Sequence, residues 1–244
     1  MAEMEDYCEI APPARLAQAI ECFWSMQVGG TGTTHRVTPD GCADILVRRS
    51  GGGVSIDVVG PMTRYVDHRL PPGQALFGVR FHPGMWTGCL GVPGDRLTDE
   101  LVPLDDLWGR RARDLLDQLA GESSPLQCAS RFAALLAPPS AANPVQKALA
   151  SMARLRGCVS VDQLAGQAGL SARQFRRLCL EQAGLTPKFL AQVLRFRHAQ
   201  SRAGAHPGGF AGLALDCGYY DQAHLINEFR RFSGRTPAGF LVAL

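Results

Sequence analysis

The chain is predicted to be α+β, β-rich towards its N-terminal end and all-helical towards its C-terminal end. Three observations predict this. Between residues 20 and 82, short aromatic and β-branched runs alternate with Gly/Pro turns. After Gly84 the apolar period turns helical. Finally, Leu164-Ala165, Gly169, Phe175, Cys179, Gly184 and Thr186-Pro187 return as Leu213-Ala214, Gly218, Leu225, Phe229, Gly234 and Thr236-Pro237. The offset is 49 residues up to the glycine and 50 beyond it, so the copies differ by one residue in the turn.

Strands are expected at 21–28, 35–38, 43–48, 54–59 and 74–81. Gly29-Gly30-Thr31-Gly32, Pro39-Asp40-Gly41 and Ser50-Gly51-Gly52-Gly53 supply turns between them, and the last makes 43–59 a hairpin. His82-Pro83-Gly84 ends the final strand. Short strands joined in this way suggest a small barrel or sandwich. Helices follow at 105–119, with Leu107, Leu115, Leu116 and Leu119 on one side, and at 125–136, with Leu126, Phe132 and Leu135-Leu136. The run from Ala137 through Pro138-Pro139-Ser140 to Pro144 breaks the second helix and reads as a linker. Two domains are therefore expected, 1–140 and 141–244.

Charge changes at the same place. Residues 145–244 hold 13 Lys and Arg against 5 Asp and Glu, a net of +8, whereas residues 1–144 hold 12 against 17, a net of −5. That asymmetry points to an anionic partner for the C-terminal end alone. No signal-peptide pattern or membrane-length apolar run is present, and the eight cysteines form no C-x-x-C. A cytoplasmic protein with reduced thiols is expected.

Within the duplicated region each copy reads as a short helix, a glycine turn and a second helix. Ser171 and Gln174 form a capping box at the start of the first copy's second helix, and Asp221 caps that of the second. Phe175, Leu178 and Cys179 face inwards in the first copy, leaving Arg173, Arg176 and Arg177 on the open side. The second presents Gln222, Ala223, His224 and Asn227, with Arg230 and Arg231 further along; Leu225, Ile226 and Phe229 serve the core. Arginines suit guanine edges and phosphates, and Gln and Asn suit adenine, so the two helices offer different readouts of duplex DNA. A helix at 187–203, begun by Thr186-Pro187, separates the copies.

The segment Gly-Tyr-Tyr-Asp-Gln-Ala-His-Leu-Ile-Asn-Glu-Phe-Arg-Arg-Phe-Ser-Gly-Arg-Thr-Pro at 218–237, with Leu-Ala-Gly-Gln-Ala-Gly-Leu-Ser at 164–171, resembles the DNA-binding domain of AraC/XylS-family bacterial transcription regulators. The resemblance covers about a third of the chain, residues 159–241. It implies two helix-turn-helix units joined by a long helix, with recognition helices set into successive major-groove segments. It places Ser171, Arg173, Gln174, Arg176, Arg177, Gln222, His224, Asn227, Arg230 and Arg231 at the DNA. Ala223 departs from a reading role, being too small for more than a thymine methyl.

The N-terminal half more weakly resembles the sensor domains that precede this module in bacterial regulators. Glu21-Cys22-Phe23-Trp24-Ser25, Thr38-Pro39-Asp40-Gly41-Cys42-Ala43-Asp44, Gly78-Val79-Arg80-Phe81-His82-Pro83-Gly84 and Leu104-Asp105-Asp106-Leu107-Trp108-Gly109 carry that likeness. It implies a small β-barrel or cupin-like domain with flanking helices, used for sensing or dimerisation. Trp24, Arg80, His82 and Trp86 are the candidate ligand residues. His35, Asp44, His68 and His82 lack a tight metal-ligand spacing, so no metal or cofactor is expected. The function expected is a sequence-specific, effector-responsive transcription regulator, not an enzyme. Its partners would be promoter DNA, a small effector, RNA polymerase and a second copy of the chain. The competing expectation is an enzyme whose cupin-like barrel does metal or thiol chemistry and uses DNA binding for targeting.

Overall fold

A computed structural model describes residues 4–122, 124–137, 141–204 and 206–242. Pro138, Pro139 and Ser140 of the expected linker lie outside the described residues. The N-terminal part contains β1 (Met4–Ile10), β2 (Ile20–Val28), β3 (Thr33–Val37), β4 (Ala43–Ser50), β5 (Gly53–Val59), β6 (Val66–Leu70), β7 (Ala75–Phe81) and β8 (Leu101–Pro103). Between β7 and β8 come α1 (Thr87–Leu90) and a 3-10 turn (Gly94–Arg96); after β8 come α2 (Leu104–Trp108), α3 (Arg110–Ala120) and α4 (Pro125–Leu135).

Six strands form an antiparallel sheet in the order β1-β2-β7-β4-β5-β8, while β3 and β6 pair only with each other. The closed barrel expected from the turn pattern is therefore not formed. Closure needs a ladder between the two edge strands, here β1 and β8, and the β3–β6 ribbon lies apart from both. The β4–β5 hairpin is as expected, with Ser50 opposite Gly53 across a two-residue turn. Strands β1, β6 and β8 carried no expectation: two are sheet edges, and β6, Val-Asp-His-Arg-Leu, is mostly polar.

Alternation along the strands gives the sheet two faces. Phe23, Ile45, Val47, Phe77, Val79 and Phe81 form a fully apolar face sealed by α3 and α4. Phe77 stacks between Phe23 and Phe132 of α4. The opposite face carries Trp24, Asp44, Leu46 and Arg80 and lies under the ribbon.

The C-terminal helices are α5 (Pro144–Arg154), α6 (Val161–Gln167), α7 (Ala172–Ala183), α8 (Pro187–Arg202), α9 (Gly209–Asp216), α10 (Gln222–Ser233) and α11 (Pro237–Leu241). Helix α5 begins at a capping box of Asn143 and Gln146, within the last residues of the expected linker. The core of the sheet continues without a break into Leu149, Leu164, Phe175 and Leu190. A second core, of Val193, Phe196, Leu213, Leu225, Phe229 and Phe232, lies between α8, α9 and α10. No helix among the described residues is long and apolar enough to cross a membrane.

Candidate nucleic-acid interface

Each reading helix is set by its own caps. In the first unit Ser160 Oγ accepts the Gln163 amide at 3.5 Å and starts α6. Gly169 then turns the chain at φ 68°, and Gly218 does the same at φ 74° in the second unit, a conformation in which a Cβ is costly. Ser171 Oγ accepts from the Gln174 amide at 3.3 Å, and Gln174 Oε1 accepts from the Ser171 amide at 3.0 Å. Both expected DNA residues are thus engaged in capping α7, which leaves the side-chain Nε2 of Gln174 available. In the second unit Asp221 Oδ1 accepts the His224 amide at 2.7 Å and caps α10.

The buried side of α7 is Phe175, Cys179 and Ala183. Arg173, Arg176 and Arg177 are all exposed, at the helix's N-terminal half. Arg177 holds only a solvent-screened ion pair with Glu181, at 3.2 Å. Its guanidinium, like those of its two neighbours, can therefore turn to an anion at little cost.

Helix α10 differs. Gln222, Asn227 and Arg230 are exposed, as is Ala223. His224 is half-buried: Nδ1 accepts the Tyr220 amide at 3.4 Å, and its ring meets Tyr219 edge-on at 5.2 Å. Its other ring nitrogen, Nε2, lies 3.8 Å from the buried Glu228 carboxylate. Arg231 folds back onto α8, over Phe189 and Phe232 at 5.1 Å, with Nη1 near Gln192 Oε1 at 3.5 Å. Beneath the helix, burial followed by the Glu228 carboxylate raises the Tyr219 phenol above its ordinary range. Tyr220, 88% exposed in the turn before α10, was missed. An aromatic pair inside an apolar pattern reads as core, and Tyr219 alone fills that place at 3% exposure.

The N-terminal domain grips both reading helices at their C-terminal ends, away from these side chains. Thr98 Oγ1 donates to Gly184 O at 2.6 Å, and the Gly94 backbone packs so closely on Gly184 that neither tolerates a Cβ. Arg36 Nη1 donates to Ser233 O at 3.0 Å, while the Tyr65 ring fills the space beside Gly234. Midway along α8, Arg197 forks onto Glu21. Burial alone would raise the Glu21 carboxyl, but its hydrogen bonds with Arg197 outweigh that and hold it below its usual range. None of these contacts has a local sequence signal, since the partners are 86 to 197 residues apart.

The four candidate ligand residues are not brought together. Trp24 and Arg80 line a cavity of about 600 Å³ between sheet and ribbon. His82 lines a separate cleft beside Glu21 and Arg197, and Trp86 is fully buried in the core. His35, Asp44 and His68 border the first cavity. No group of three His, Cys, Asp or Glu among the described residues is arranged to hold a metal. The cysteines are unpaired thiols, and burial pushes Cys22 and Cys179 up to about 12, far from thiolate reactivity at neutral pH.

Two family models match parts of the chain. Residues 164–242 match a helix-turn-helix domain, and residues 8–103 match a domain of unknown function, DUF6597. Among solved structures, the chain is similar to the DNA-binding domain of AdpA, a global transcriptional factor, in complex with a target DNA. Identity there is 25%, over 42% of this chain and 93% of that one, with a TM-score of 0.39. It is also similar to an AraC-type transcriptional regulator from Chromobacterium violaceum: 23% identity, 41% and 89% coverage, TM-score 0.38. ToxT from Vibrio cholerae O395 matches at 10% identity over 91% of this chain and 98% of its own, with a TM-score of 0.48. No curated protein matches the chain. Residues 164–242 are thus a helix-turn-helix domain, about a third of the chain.

Proposed function

We propose that the chain binds promoter DNA sequence-specifically and regulates transcription in response to an effector, acting by binding and not by catalysis. The observation that carries this reading is the capped, exposed arginine face of α7, repeated in frame as the Gln/Asn face of α10. Arg173, Arg176 and Arg177 are assigned to guanine edges and phosphates of one major-groove segment. Gln222, His224 and Asn227 read the other, and Arg230 takes a phosphate. Ser171 and Gln174 place the α7 N-terminus at the backbone, where amide groups and the helix dipole favour an anion. Arg231 is held on α8 and acts there as a positioning residue that leaves positive charge at the edge of the interface.

Residues 1–140 are proposed as the sensing and dimerising domain and 141–244 as the DNA-binding domain, in a protein that works in the cytoplasm beside RNA polymerase. Helix α8, 16 residues long, serves as the rigid spacer between the reading helices. Selecting bound fragments from a random DNA pool tests this reading. An asymmetric site per subunit is expected, guanine-rich in one segment. Affinity that follows salt alone and is indifferent to sequence would overturn it.

A further inference from the structure

The ribbon-side face of the sheet carries charge that its own fold does not need. Trp24 of β2 lies flat across Gly78 of β7, where a Cβ would come within 2.0 Å of the indole. Its Nε1 donates to Asp44 Oδ1 at 2.6 Å. Arg80 lies 3.4 Å from Asp44 and 3.6 Å from Asp40. Two carboxylates therefore share one guanidinium. Arg48, at the rim, is already held by Asp57 at 2.6 Å and neutralises neither. Arg69 also borders the cavity from β6, but alternation puts its side chain on the side of Asp67, and it makes no ion pair with Asp40 or Asp44.

Above this corner is the 600 Å³ cavity, within the usual size range of small-molecule sites. Met26, Leu46, Leu70 and Leu76 give it apolar walls, and Tyr7 extends the aromatic wall by stacking on Trp24 at 6.3 Å. Burial raises the Asp44 carboxyl to about 6, with Arg80 opposing and Asp40 reinforcing the shift. Two carboxylates in contact with a single guanidinium leave oxygen acceptors that a cation can fill and an anion would crowd.

The roof of the cavity is the β3–β6 ribbon, and its two faces do different things. His35, Val37, His68 and Leu70 border the cavity. Between them in the alternation, Arg36 pairs with Asp67 through two hydrogen bonds of 2.7 and 2.6 Å and donates to Ser233 O at the end of α10. Tyr65, just before β6, lies 4.3 Å from the Arg36 guanidinium. A displacement of the ribbon is thus a displacement of the second reading helix, whereas the first is held by Thr98 and Gly94, outside the ribbon.

We propose that this cavity binds an organic cation with an apolar body, its ammonium at Asp40 and Asp44 and its body along Trp24, Met26 and Leu76, and that the ribbon reports its occupancy to the second helix-turn-helix unit. The binding half stands on the cavity alone; the reporting half rests on the regulator reading above.

The test uses the full chain and three series of phenylalkyl probes, matched in length from two to six methylenes, ending in amine, alcohol or carboxylate. In calorimetric titration the best amine is expected to bind at least tenfold more tightly than its alcohol and carboxylate counterparts. Asp44→Asn, which keeps an acceptor for Trp24, and Asp40→Asn should each remove most of that preference while leaving thermal unfolding of the free protein cooperative. A carboxylate binding as well as the amine, or no amine binding at millimolar concentration, overturns the site. The bound amine should then change affinity for the selected DNA fragment at least threefold, and Arg36→Ala should abolish that change without altering amine affinity. Unaltered DNA affinity with amine bound, or a change that survives Arg36→Ala, overturns the reporting role. Failure of the amine-free protein to select a DNA sequence would instead sink the regulator reading and leave the binding result standing.

Discussion

The two helix-turn-helix units share a frame and differ in everything attached to it. Both reading helices begin at a side-chain cap and end at a glycine, with φ 67° at Gly184 and 70° at Gly234. Yet α7 shows three exposed arginines, one in a solvent-screened ion pair, while α10 shows amides, a half-committed histidine and an arginine folded onto α8. Their supports differ too. The first is gripped through a backbone-close contact near the 3-10 turn, the second through a separate two-stranded ribbon. Duplicated scaffolds can therefore diverge in readout and in control independently, because caps and core set the frame while exposed positions and outside contacts set the rest.

The frame itself is the place to expect the largest effect. Phe229 and Cys179 occupy equivalent buried positions, but only Phe229 meets two aromatic partners, Phe196 at 5.1 Å and Phe240 at 6.1 Å. Phe229→Ala should cost about 3–5 kcal/mol in denaturant unfolding, and Cys179→Ala clearly less. Equal losses would show that the two units do not have separate cores. At the surface, Arg173→Ala or Arg177→Ala should weaken binding to the selected site by about 1–3 kcal/mol where the arginine reads a base. Asn227→Ala should relax specificity in the other segment only, as read by competition between site variants. Should both arginine variants bind as the parent does, α7 is not a reading helix.

Caps come next. Ser171→Ala and Asp221→Ala should each cost about 1 kcal/mol of stability. The Ser171 loss should also reach DNA affinity, since it loosens the end of α7 that faces the backbone. The smallest effect concerns acid. The folded-state value for Asp44 lies above its unfolded one, so the native state binds the extra proton between about pH 4 and 6. Its contribution therefore stabilises as pH falls through that window and is lost as pH rises through about 6. Asp44→Asn should flatten this part of the pH–stability curve, and an unchanged curve would show that Asp44 does not set it.

Much of this molecule is legible in the residues themselves. Capping boxes, glycine turns and the Thr-Pro starts are local, so Ser171, Asp221, Gly169 and Gly218 mark α7 and α10 without tertiary information. The β4–β5 hairpin is read for the same reason, and the exposed arginines follow once Phe175 and Cys179 are assigned to the core. The open sheet was not legible: turn chemistry marks where a chain reverses but not whether the edge strands meet, and a ribbon strand as polar as β6 has little apolar alternation to show.

The fold separates the four ligand candidates, leaving Trp24 and Arg80 on one cavity, His82 on another cleft and Trp86 in the core. Trp24 and Trp86 look alike as isolated aromatics, but only the strand register puts Trp24 over Gly78 and beside Asp44 and Arg80. Arg231 and Arg230 are both exposed, but only Arg231 reaches α8, over Phe189 and beside Gln192. Backbone geometry, capping and the choice of inward residues depend on neighbours a few positions away and can be read along the chain. The shared guanidinium of Asp40 and Asp44, and the grips on Gly184 and Ser233, join residues far apart in sequence. Their energies depend on distances that only packing defines.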